Sequence, residues 1–183
     1  MSLEKTMNIA VTVIAIIALV VSIWQGVVTR EHNRLSLKPY LLSNPVVTGD
    51  KGRDGVFVSN DGVGPAFIKS AKIIINQEAF DLTAGDLRVM YESVGLNPDC
   101  FVNRYLPVGA VLKPSEEVHL ISVTGADILG CKLEMMSLLA SKDVELSIRY
   151  ASAYDEEYIY KGVVSLNKGL SVDRMMHSHK ASD

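Results

Sequence analysis

The chain is 183 residues long, 48% hydrophobic and 21% charged, with a formal net charge of -3. That mild balance, with no basic stripe interleaved with aromatics, argues against a nucleic-acid partner. Cys100 and Cys131 are the only cysteines, and with no C-x-x-C motif or histidine spacing they do not suggest zinc.

The first predicted element is an apolar helix. No side chain between Thr6 and Thr29 is charged, and roughly 20 such residues at about 1.5 Å each cross a hydrocarbon core of about 30 Å. A cleaved signal peptide wants a shorter apolar stretch and a small-x-small exit, whereas this run leaves through Ile23, Trp24 and Gln25. The expectation is a single-pass transmembrane anchor at 1–28 and a basic collar at 29–38, with the lipid bilayer as first partner. Trp24, Arg30, Arg34 and Lys38 are the expected interfacial residues. Only Lys5 and the amino terminus are positive before the span, against Arg30, Arg34 and Lys38 after it. The positive-inside rule therefore leans the rest of the chain toward the cytoplasmic side of an inner membrane. Ala18, Ser22 and Gly26 recur every fourth residue and form a small-residue face fit for helix association, hence a homo-oligomer.

Residues 39–166 then read as short strands between turns. Segments 37–42 and 45–48 lead into a turn-rich stretch at 49–55, and 55–60 is a strand. Asp61, Gly62, Gly64 and Pro65 form a turn whose glycines are expected to supply positive φ. The β-branched run 66–76 is a strand with room for a bulge, followed by a tight turn at Gln77 and Glu78. A helix is expected over 84–94, strands at 101–106 and 118–123, a turn at 111–117 between them, and a second helix over 132–141. The last hairpin is the plainest, with Val144, Leu146, Ile148 and Tyr150 facing one way and a return at 158–164. About seven strands at such intervals make the fold mainly β: an antiparallel immunoglobulin-like β-sandwich with two short helices behind a transmembrane helix. The pattern is lost over 167–183, which reads as a loose tail.

No catalytic template is met. Gly62-x-Gly64 lacks the further glycines and the helix of a phosphate loop, and no Gly-x-Ser-x-Gly elbow occurs. Asp54, Asp61 and the acidic turn at 155–157 are read as solvated turn carboxylates, and His177 with His179 as tail histidines too poorly supported to hold a metal. His32 is read as solvated and His119 as pointing to an outer sheet face. Neither a metal nor another cofactor is expected. The cysteines stay open: in an oxidising compartment they pair if the fold brings them together, and in a cytoplasm they are ordinary small buried residues.

The collar from Arg30 to Leu41, the segment Asn60-Asp61-Gly62-Val63-Gly64-Pro65-Ala66 and the tyrosine-rich hairpin from Tyr150 to Tyr160 together resemble uncharacterised bacterial single-span membrane proteins. More loosely, that layout is similar to immunoglobulin-like cell-surface modules. The resemblance implies an architecture and no activity. The expected function is a membrane-anchored, non-enzymatic interaction module with a protein partner, the alternative being a ligand sensor that signals through helix association.

Overall fold

The structure, a computed structural model, describes residues 3–47, 54–84 and 87–165, with side chains from Met7 onward. The tail at 167–183 with its two histidines, and most of the turn at 49–55, lie outside the described residues. The chain divides into two compact units, Met1–Ser36 and Leu37–Asp183.

The first unit is one helix, α1 (Leu3–Ser36), which runs through the apolar stretch and on through most of the collar. It is the one helix among the described residues long and apolar enough to cross a membrane, as an anchor or as a signal sequence. It stops three residues before Pro39, whose ring disfavours helical backbone in the residue before it.

Among its described residues the second unit holds nine strands: β1 (Leu41–Val46), β2 (Gly55–Asn60), β3 (Ala66–Ile75), β4 (Glu78–Asp81), β5 (Phe101–Asn103), β6 (Val111–Leu112), β7 (Glu117–Val123), β8 (Val144–Ala151) and β9 (Glu157–Val163). Two α-helices, α2 (Arg88–Ser93) and α3 (Ile128–Ser141), and a 3-10 turn at Pro98–Cys100 interrupt them. All pairings are antiparallel. One sheet has the order β1-β2-β7-β5 and the other β4-β3-β8-β9, with β6 added beside the start of β3. One core joins the sheets: Val56, Val58 and Leu120 from the first meet Ile68, Ile73, Leu146 and Ile148 from the second. The strict alternation read along 144–150 is the reason β8 buries one face while Glu145 and Arg149 stay wet.

Several expected boundaries move for physical reasons. The tight turn sits at Asn76 and Gln77, both left-handed (φ 49° and 74°), because asparagine tolerates that backbone. The bulge foreseen in β3 falls between Ile68 and Ser70. The strand expected over 101–106 ends at Asn103, since Leu106 crosses to donate its N–H to the Leu82 carbonyl, 2.9 Å away. The first helix shortens to six residues. The second begins four residues early, where the Asp127 carboxylate accepts the Gly130 N–H at 3.0 Å as an N-cap.

Candidate functional site

A dense polar arrangement lies where the chain enters the second unit. Asn60, the last residue of β2, is fully buried. Its Oδ1 accepts the N–H groups of Tyr40 and Gly62, each at 3.1 Å, and its Nδ2 donates to the carbonyls of Gly64 (2.8 Å) and Leu112 (3.0 Å). Its backbone N–H donates to the Glu116 carbonyl (3.0 Å) and its own carbonyl accepts from Ser115 (2.8 Å). One amide thereby ties together the entering segment, the turn that follows β2, and β6 with its turn, and all of its hydrogen-bonding capacity is used within the fold.

The turn residues named from sequence surround this hub, for a different reason than expected. Neither Gly62 nor Gly64 takes a left-handed φ. Both are glycine because the entering backbone lies against them: a Cβ on Gly64 would overlap the Leu37 carbonyl oxygen, and one on Gly62 would press on Tyr40 N and Lys38 O. Asp61 donates its N–H to the Tyr40 carbonyl at 2.8 Å while its side chain stays exposed, and Pro65 leads into β3.

Tyrosines of the last hairpin hold the same segment from the other sheet. Lys38 stands 5.2 Å from the centroid of the Tyr158 ring, which stacks on Tyr150 at 5.6 Å. The Tyr150 hydroxyl is hydrogen-bonded to the Leu41 backbone. Burial pushes its pKa up to about 12, with the Leu41 bond acting in the opposite direction. Tyr160 folds back over Gly162, where a Cβ would strike its ring, and its hydroxyl accepts the Ser43 N–H at 2.8 Å. Pro45, two residues on, has no N–H. The outward ladder of edge strand β1 is thus capped at Ser43 and missing at Pro45, which blunts it against pairing with another chain.

A second attachment holds α3. Cys131, on its first turn, forms a disulfide with Cys100 beside β5, the Cα atoms being 5.1 Å apart and both residues buried. Next to it, Lys132 Nζ stands 2.8 Å from Oδ2 of Asp54, an ion pair rather than an aligned hydrogen bond. Asp54 is 2% exposed, so the solvated-turn reading of this residue is corrected: α3 covers it. Glu134 accepts the Asn97 N–H at 2.8 Å.

The remaining sequence candidates are not gathered into one site. Trp24 and Arg30 are exposed along α1, and Arg34 pairs with Glu31 at 3.1 Å. On the Ala18, Ser22 and Gly26 face, the Ser22 hydroxyl donates to the Ala18 carbonyl at 2.8 Å, so it is satisfied inside the helix. His119 is half-exposed on the outer face as expected, edge-on to Phe57 at 4.3 Å. No group of three metal-ligating side chains occurs among the described residues. A shallow cleft of about 340 Å³ opens between Phe67, Val108 and Ala151, rimmed by Lys69 and Asp155, which pair at 3.4 Å.

Sequence reasoning missed Asn60 and Ser43 as partners, and read the tyrosines only as strand residues. The signals were present, in an asparagine closing an apolar strand and in tyrosines two apart on one face of β9, but their partners lie 20 and 117 positions away. No family model, curated protein or solved structure matches this chain.

Proposed function

We propose that the chain is a membrane-anchored, non-enzymatic interaction module in which α1 is retained as the anchor and the second unit is an immunoglobulin-like domain. The observation that carries this reading is the entry clamp. Leu37, one residue beyond α1, already lies against Gly64, and the clamp is built from a saturated amide, two glycines and tyrosines. None of these is a poised acid, base or nucleophile near neutral pH, and Tyr150 is pushed further from that range. Such chemistry holds a backbone and turns over no substrate. The strand orders β1-β2-β7-β5 and β4-β3-β8-β9 support the immunoglobulin-like part, since they follow the ABED and C′CFG orders of that fold.

Two indicators bear on the side of the membrane and point in opposite directions. The collar cations favour the cytoplasm by a margin of a few residues, whereas the Cys100–Cys131 bond favours an oxidising compartment, because such bonds are rare among reduced cytosolic proteins. The disulfide is the weightier of the two, so the domain is assigned to the non-cytoplasmic side. Alkaline phosphatase fused after Asp183 should be active in cells, and an inactive fusion made at normal levels would refute the assignment. The interaction role is tested separately by capture from solubilised membranes, where recovery of nothing above background with a folded domain counts against it. The ligand-sensor alternative has the cleft at Phe67 and Val108 in its favour, but the cleft's two charged groups already neutralise each other.

A further inference from the structure

We infer that two copies of this chain pair through α3, antiparallel about a two-fold axis. Leu129 is 71% exposed, Leu133 59% and Met136 45%, and Ala140 is exposed as well. The steps between them are four, three and four residues, the spacing of the a and d positions of a heptad, so at 100° per residue they form a narrow seam suited to a second helix. The opposite side of α3, at Cys131, Met135, Leu138 and Leu139, is spent on the domain's own core. This helix therefore has two apolar faces, and one of them is exposed among the described residues.

Two features favour an identical partner. Antiparallel pairing sets Leu129 against Ala140 and Leu133 against Met136, so a large residue faces a small one at each end and two large ones meet at the centre. That arrangement is self-complementary, as a two-fold contact requires. The seam is flanked by Ile128, Ser137 and Ser141, while the neighbouring cation Lys132 is turned to Asp54 and the acid Glu134 to the Asn97 N–H, so no like charges oppose one another across the axis.

At 14 residues the helix is about 21 Å long, which offers well under the ~800 Å² per partner of a stable soluble pair. Confinement of both copies to one membrane supplies the missing effective concentration, and only in this respect does the pairing rest on the anchored reading. The test uses the full chain in native membranes and in mild detergent, with a photo-crosslinking amino acid in place of Met136. A product of twice the chain mass is expected. Leu133→Glu, at an exposed position, should cut its yield about tenfold or more with an unchanged melting curve, and Leu129→Lys is the second variant if Leu133→Glu melts early. A chain that is membrane-bound yet monomeric overturns the proposal. So does a dimer that survives both α3 variants but is lost in Ser22→Ile, or a crosslink only to lipid or to a protein of another mass. Failure of the anchored reading itself shows differently, as release of the chain by an alkaline carbonate wash.

Discussion

Asn60 and Cys131 both fasten an appendage to the two-sheet core, one the entering segment at 37–41 and the other α3, and they do so with contrasting chemistry. Around Asn60 the contacts are amide to backbone, glycine to backbone and phenol to backbone, with a single cation, Lys38, over the Tyr158 ring. Around Cys131 the contacts are a covalent bond and a shielded ion pair. The first attachment is insensitive to redox state and depends on Tyr150 remaining protonated. The second depends on oxidation. The contrast shows which conditions loosen each part, and the two can be perturbed independently.

The largest effect is expected from Asn60→Ala. It strips a partner from two N–H groups and two carbonyls in a largely buried setting, and at about 1–3 kcal/mol for each group left unsatisfied, some being rescued by water, the loss should be about 4 kcal/mol. Denaturant unfolding monitored by circular dichroism would show it, and a loss below about 1 kcal/mol would mean that the hub is dispensable. Next comes the double change Cys100→Ser with Cys131→Ser. A bond spanning 31 residues restricts the unfolded chain by about 3.5 kcal/mol, so reductant should lower the melting temperature of the wild type and leave the double variant unmoved. Equal melting with and without reductant would break the contrast between the two attachments.

Smaller effects sharpen it. Tyr160→Phe removes the acceptor for the Ser43 N–H and should cost about 1 kcal/mol. Gly162→Ala should do at least as much, since the added methyl displaces the Tyr160 ring. The smallest is a pH effect. Burial raises the Tyr150 pKa from 10.0 to about 12, so its protonated form stabilises the fold fully below pH 10, and that contribution is lost as pH climbs from 10 toward 12. Burial also raises Tyr91, which stacks on Phe101 at 4.7 Å, in the same direction. An alkaline titration of unfolding should therefore move to higher pH in Tyr150→Phe, with the reductant response unchanged.

Much of the strand pattern was legible. Residues 55–60 stand as expected, the run at 66–76 differs by one residue, and the 144–150 alternation buries the face it should. These segments carry their instruction locally, in β-branched residues at period two. The misplaced ones do not. α2 is short and weakly periodic, β6 has two residues, and the start of α3 is hidden by Gly130 in its first turn. The turn at 61–65 was found from its glycines, yet its purpose was misassigned, because a demand for close approach and a demand for positive φ select the same residue.

The sequence by itself determined an apolar helix able to cross a membrane, a β-rich domain and the turn that follows Asn60, since each of these is written in neighbouring residues. Only the tertiary structure decided that Cys100 meets Cys131, that Asp54 is covered by Lys132, that Asn60 and the tyrosines grip the entering chain, and that one face of α3 is left bare. The physical reason is sequence separation. Propensity and periodicity act over a few residues, while these contacts join positions tens of residues apart, and burial on both sheets must be known before the partner of any polar side chain can be named.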